Sequence, residues 1–450
     1  MSMNSIRIVN GTVLMGEPAV PVITDLLIEG NFISDIGDSA DGQNAGQVID
    51  AAGKLVLPGL VDLHAHFIAG NPTGFYMLVA AGVTTANDAL VGSGTVAEEK
   101  VKATPVGLTV SCMYVLKPGL TISGPNPTRA ELEESILRGY GEGAFGIKIV
   151  GAHFPLEPDA TACAIEIAAS RGIPLLVHAG HTECRDDFRG MQQIIELADG
   201  NPFTLAHVNV YCNGQTLGDE RMEAIRAIEL LNAHPEIISE TTLSELSCMG
   251  TRIIDGVPES LCMIDLLKGL GFEPTYQGML QAIEAGRICV SGPMGHVFGF
   301  LDRGEGLKRC RELEGHVTIG YPKHDMVKNI LVATGRRANG DFTITAFSTD
   351  GGIVPRNVLL EKGLALVDAG VITLPEFVRQ ASRNGARYLG LGNKGVLSPG
   401  FDADIVIADP HSRQAETVIS GGNIIFKQGQ YYPAPNHFHS LKGIRGEGGD

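Results

Sequence analysis

Six residues able to bind a metal or carry a proton lie in short apolar runs spread along this chain. His64 and His66 stand in LVDLHAH, Lys148 in GIKIVG, His178 in LLVHAGH, His207 in TLAHVN and Asp350 in AFSTDGG. On an extended strand residues two apart face the same side, so the imidazoles of His64 and His66 can reach one cation. Taken singly these residues are ordinary. A lone histidine at a strand end is more often hydrogen-bonded within the fold, and a lone lysine there is usually solvated. The ordered set is different, because every member has to fall at the same end of its apolar run. Together they describe a divalent-metal site built from imidazole, carboxylate and lysine.

The elements that must position this set follow from the period of the apolar residues. Between about residue 58 and residue 395, runs of four to eight apolar residues alternate with amphipathic stretches, which is the pattern of repeated βα units. Eight strands are predicted: Leu60 to His64, Thr84 to Asp88, Thr109 to Val115, Gly146 to Val150, Pro174 to His178, Thr204 to Val208, Ile237 to Thr242 and Thr343 to Ser348. Helical spacing is clearest at Arg129 to Tyr140, Ala160 to Ser170, Met191 to Leu197 and Arg221 to Asn232. The economical topology is an α/β fold, a (β/α)8 TIM barrel, whose chemistry sits at the C-terminal ends of its strands. Residues 244 to 340 are too many for one βα connection and are expected to hold extra helices and a lid over the mouth.

The two ends of the chain read differently. Ile6 to Val9, Val13 to Met15, Asp25 to Ile28, Phe32 to Ile36 and Val48 to Ile49 are short strands bounded by turn residues. Ala403 to Ala408, Glu416 to Ser420 and Asn423 to Lys427 repeat the pattern. The expected division is therefore 1–57 and 396–450 as two parts of one small β domain, with the barrel at 58–395 and a frayed glycine-rich tail from Gly443.

Composition narrows the function. With 34 Lys+Arg against 51 Asp+Glu the net charge is −17, which argues against nucleic acid and against a polybasic membrane patch. At 44% hydrophobic and 19% charged the chain can build a large core. No run of about 18 apolar residues suggests a membrane span. The eight cysteines are scattered with no CxxC pair, and the first residues lack a secretory pattern, so a reduced, cytoplasmic protein is expected.

Beyond the six residues, the sequence carries LVLPGLVDLHAH into the first strand, AAGVTT at the second and GLGNKGVLSPGFDADIVIAD near the end. With these the chain resembles the metal-dependent amidohydrolase superfamily over nearly its whole length. Lys148 on the fourth strand resembles the branch whose two metals are bridged by a carboxylated lysine, the branch of hydantoinases, dihydropyrimidinases and enamidase. The segment IISETTLSE is similar to the seventh strand of hydantoinases, whereas STDGG departs from their Asp followed by His. The resemblance implies that the small domain is a β-sandwich and that the protein is a homo-oligomer, a dimer or tetramer.

The chemistry can be reasoned from the residues. A desolvated, neutral Lys148 can react with carbon dioxide to give a carbamate that bridges two cations. His64, His66 and Asp350 then hold the more buried ion, and His178 and His207 the more exposed one. Zinc suits this donor set, with manganese or iron as alternatives. Ions about 3.5 to 4 Å apart share a hydroxide and polarise a carbonyl, and Asp350 carries the proton to the leaving nitrogen. The expected reaction is cleavage of a C–N amide bond in a small cyclic amide or imide. An acyclic amidase, then a lactonase or phosphotriesterase, then a deaminase are the alternatives, and a scaffold without catalysis is opposed by the filled ligand positions.

Around the ligands, His181, Glu183 and Arg185 follow His178, and Asn209 and Tyr211 follow His207; all five are candidate substrate contacts. Arg356, after STDGG, could clamp a substrate carboxylate or lie on the surface at a helix start. Glu240 could hold a metal-binding histidine or bond to the backbone. His153, His296 and His324 fall in loops able to reach the mouth, whereas His411, His437 and His439 belong to the terminal region.

Overall fold

The computed structural model describes residues 5–37, 40, 45–68, 72–294, 297–322 and 325–441. Eight parallel strands follow one another in chain order: Leu60–His66, Val83–Val91, Thr109–Leu116, Gly146–Ile149, Leu175–Val177, Thr204–Leu205, Ile238–Thr242 and the eighth in two pieces, Ala346–Ser348 and Gly351–Gly352. The first piece pairs with strand seven, Thr242 opposite Ser348, and the second pairs with strand one, Gly352 opposite His66. This split closes the barrel. All eight predicted strands are present, shifted at their ends by at most a few residues. Every residue of strand three is buried, as expected of a parallel strand covered on both faces.

The expected helices form at Arg129–Gly141, Pro158–Ser170, Phe188–Ala198 and Glu220–Ala233. Three of them start on a capping side chain: Thr128, Asp187 and Asp219 each accept a backbone N–H of the first turn. The first packs hard on the barrel. A Cβ on Gly139 would lie 2.5 Å from the ring of Tyr114, so helix and strand three approach this closely only with glycine there.

The long connection after strand seven is an insertion with its own architecture. Leu246–Gly250, Thr318–Pro322, Cys289–Met294 and Val297–Phe300 make a four-stranded antiparallel sheet, in that order. Helices Leu261–Gly269, Tyr276–Glu284 and Arg303–Glu312 cover it. Met263, Leu267, Met279, Ile283, Val290 and Ile319 form a core separate from that of the barrel. A second sequence-distant core, including Ile8, Val13, Leu26, Val56, Ile405 and Ile407, belongs to a nine-stranded, mostly antiparallel sheet.

That sheet joins the two ends of the chain, with Ile405 opposite Pro58 and Ala408 opposite Leu55. Hydrogen bonds run through it from end to end as one connected set. Ser5–Met15 is a single strand where two were expected, because a bulge between Ile8 and Gly11 lets it pass from Gln47–Asp50 to Leu55–Pro58 without ending. The glycine-rich tail, His296 and His324 lie outside the described residues.

Candidate metal centre

The barrel mouth holds a cavity of about 440 Å³, and its wall includes His64, His66, Lys148, His178, His207 and Asp350 together. Five imidazoles cross it in a row. Ring centroids are 5.2 Å apart for His66 and His64, 5.2 Å for His64 and His207, 4.6 Å for His207 and His178, and 4.9 Å for His178 and His153.

Asp350 sits at one end of this row, in the break of strand eight. Its backbone is left-handed, φ 48°, and its N–H donates to the His64 carbonyl at 2.7 Å. The turn directs the carboxylate to His66 Nε2 at 2.8 Å and His64 Nε2 at 3.5 Å. Side-chain donor atoms of His64, His66 and Asp350 all lie within 4.8 Å of one another, close enough for one cation. His207 is likewise left-handed, φ 28°, and strained backbone of this kind concentrates at functional sites.

Glu240, on strand seven, organises the inner end. Its Oε1 meets His64 Nδ1 at 2.7 Å and accepts the backbone N–H of His207 at 2.6 Å, while Oε2 accepts the Ser348 hydroxyl. Both roles open to it are filled at once. A carboxylate there can only accept, so Nδ1 of His64 carries the proton and Nε2 keeps its lone pair for a metal.

Burial sets the protonation states. Desolvation, with the nearby Lys148, pushes His64 down to about 4, and desolvation pushes Lys148 down to about 8. His207 is held well below the usual imidazole range by burial and by His178. His64 and His207 are thus neutral at pH 7, as metal ligands must be, and the lysine is drawn towards the free amine that a carbamate requires. Lys148 Nζ, His178 Nε2 and His207 Nδ1 are buried without a hydrogen-bond partner. Orphaned nitrogens in a polar cavity are costly, and cations fit the donor set that would relieve them.

Arg356 corrects an expectation. It is not a surface charge: it is buried in the cavity wall, its Nε donates to the Asp350 carbonyl at 2.6 Å, Nη1 to the Leu246 carbonyl at 3.2 Å, and Nη2 to the Asp350 carboxylate. Burial alone would raise the Asp350 pKa, but Arg356, helped by His64 and His66, outweighs it and holds the carboxyl well below its usual range.

The other expected substrate contacts are engaged elsewhere. Arg185 pairs with Asp265 at 3.0 Å, and it, His181 and Glu183 are absent from the cavity wall. His181 accepts the Glu183 N–H on Nδ1 at 3.2 Å inside its own turn. Asn209 is fully buried, accepting from Thr241 Oγ1 and the Thr242 N–H at 2.9 and 3.1 Å, which ties strand six to strand seven. Tyr211 accepts the Ala179 N–H at 3.0 Å and packs its ring on His178 and His207. These two hold the ligand strands in place; they do not reach the cavity.

Several important residues were missed. Asp62 is buried two positions before His64 and accepts from the N–H groups of His64 and Thr349 at 3.2 and 3.1 Å, joining strands one and eight; desolvation raises its pKa to about 7. Asp88, in the C-terminal half of strand two, accepts the N–H groups of Phe67 and Ile68 at 2.7 and 2.6 Å and lines the cavity. The strand-end rule that found the ligands also points to Asp88. Lys117 pairs with Glu259 at 3.0 Å and lies 3.8 Å from the Phe154 ring centroid, with Arg252 3.6 Å from the same glutamate. All four line the outer cavity, and Arg252 and Glu259 come from the insertion, which accords with its expected place over the mouth.

With this geometry in view, the amidohydrolase family profile matches residues 306–429. The chain is 24% identical over 434 residues to a dihydroorotase of Geobacter metallireducens, covering 90% of each chain. It is 25% identical over 442 residues to an Escherichia coli allantoinase, covering 90% of this chain and 85% of the relative. In structure it is similar to N-acyl-D-glutamate deacylase from Bordetella bronchiseptica, solved with zinc and a phosphonate mimic of the tetrahedral intermediate. That TM-score is 0.68 at 16% identity, over 97% of this chain and 99% of the other.

Proposed function

For a chain that fits the amidohydrolase superfamily of metal-dependent C–N hydrolases, we propose hydrolysis of a small cyclic amide or imide at a two-metal centre. The observation that carries this reading is the convergence of four histidines, Lys148 and Asp350 on one cavity, three of their nitrogens buried without a hydrogen-bond partner. His64, His66 and Asp350 would hold one ion and His178 and His207 another, and Lys148, as its carbamate, would supply an anionic ligand. Zinc suits the imidazole-rich set best. Bound there, the ions lower the pKa of water towards neutrality and polarise the scissile carbonyl.

The protein's own groups do the rest. Asp350 takes the proton given up by the attacking water and returns it to the leaving nitrogen as the C–N bond breaks. Glu240 keeps His64 in one tautomer. The cyclic class rests on dihydroorotase and allantoinase, both named for ring substrates. Lys117 and Arg252 flank Glu259 in the outer cavity wall and offer cationic groups to an anionic substituent on that ring. The division at 1–57, 58–395 and 396–450 is proposed alongside.

Two measurements test the reading. Elemental analysis of the purified protein should find close to two divalent ions per chain, and one ion in fully active protein overturns it. A screen across hydantoins, dihydropyrimidines, lactams, N-acyl amino acids and lactones should single out cyclic amides; preference for an acyclic amide or a lactone refutes the substrate class.

A further inference from the structure

The row of imidazoles continues past the proposed centre. His153, in the loop after strand four, is its last member, and its Nδ1 lies 2.8 Å from the Ser260 hydroxyl. Ser260 is the N-cap of the insertion helix Leu261–Gly269, and the Leu261 N–H donates to the His153 carbonyl at 3.3 Å. These contacts bring the first turn of that helix, with Cys262, against the barrel mouth. One donor atom each from His153, His178 and Cys262 fall within 4.8 Å of one another. His178 contributes a further fact: its side chain is 8% exposed, and its Nε2, 3.9 Å from an Asp186 carboxylate oxygen, is buried without a hydrogen-bond partner.

We propose that His153, His178 and Cys262 form an additional cation site, selective for a thiophilic divalent ion, zinc in excess being the natural occupant. A tetrahedral zinc with bonds of about 2.0–2.3 Å sets its ligand atoms roughly 3.5 Å apart, so small side-chain movements close the present spacing. Two imidazoles and a thiolate are a zinc or cadmium set, and a hard cation such as magnesium has no reason to choose it. Cys262 is a thiol outside any disulfide and lies in the first turn of a nine-residue helix. Binding releases the thiol proton to solvent and changes no oxidation state.

The site has two consequences. It joins strand-four loop, strand five and insertion through one ion. It also draws on His178, which the proposed outer ion uses, so excess zinc competes with the working arrangement.

The test uses the full-length protein loaded with zinc, freed of excess metal and titrated with cadmium chloride. One equivalent should bind, releasing one zinc ion as it takes His178 from the outer position, with an ultraviolet thiolate-to-cadmium charge-transfer band. Cys262→Ser should abolish the band and weaken that equivalent at least tenfold, and His153→Ala should weaken it likewise. Should either variant fail to fold, bound cadmium in the wild type should protect Cys262 from alkylation, read by mass spectrometry. Wild type lacking the band, a band that survives in Cys262→Ser, or alkylation of Cys262 unaffected by cadmium each overturns the proposal. The loss of the band in Cys262→Ser reports this site, whereas the zinc content before titration reports the centre proposed above, so failure of one is distinguishable from failure of the other.

Discussion

Replacing Arg356 separates a residue that positions Asp350 from one that reads substrate. The guanidinium is 3% exposed and makes three contacts, two of them to Asp350 and one to Leu246. Arg356→Met keeps much of the volume but leaves the carboxylate of Asp350 without its counter-charge. Breaking a buried pair in this way costs about 3–5 kcal/mol, a large part of the roughly 5–15 kcal/mol that holds a domain folded. The full cost should appear in protein stripped by a chelator. With cations bound beside Asp350, which supply a substitute charge, the loss should be smaller. Arg356→Lys should fall between, since a single ammonium cannot serve the carbonyl and the carboxylate of Asp350 together with Leu246. The assays are urea unfolding with and without chelator, metal content, and kcat and KM on neutral and carboxylated cyclic amides. A positioning role lowers kcat on both substrates by about tenfold or more, equivalent to at least 1.4 kcal/mol in the transition state. The reasoning is refuted if Arg356→Met unfolds like wild type after chelation, or if it raises KM for the carboxylated substrate alone with kcat intact.

Other outcomes follow from the same geometry. Lys148→Ala should lose metal affinity by about 100-fold or more, with activity, and short carboxylic acids should restore part of both; full metal content in the variant would contradict the carbamate. In chelated protein, His64 stays neutral in the fold down to about 4, because burial disfavours its charged form, whereas the unfolded chain protonates near 6.5. The unfolded state therefore binds more protons over that window, and stability should fall as pH drops from 6.5 to 4. At about 2.5 pH units and 1.36 kcal/mol each, His64 alone accounts for on the order of 3 kcal/mol, and a flat profile in chemical denaturation excludes it. Lys117→Met should raise KM for a carboxylated ring several-fold and leave a neutral ring unchanged; equal effects on both would remove Lys117 from anion recognition.

Much of this protein is legible in the sequence because its signals are local. A parallel strand buried on both faces is a short apolar run whatever surrounds it, which is why all eight barrel strands could be placed, and strand-end polarity put His64, His66, Lys148, His178, His207 and Asp350 at one rim before any coordinates. Alternation along LVDLHAH also decides that His64 and His66 share a face. Tertiary structure alone decided what these groups touch. His64 meets a glutamate 176 residues away, and Arg356 reaches Leu246 across 110 residues. Arginine next to a glycine turn looks equally suited to a substrate carboxylate, the solvent or a buried aspartate, and the choice was made by the split of strand eight at Asp350, a long-range consequence of closing the barrel. The same holds for Cys262, whose neighbours His153 and His178 come from other segments. Periodicity tells which side of its own strand a residue faces, whereas charge pairing and ligand sharing depend on which distant strand the closed barrel sets opposite.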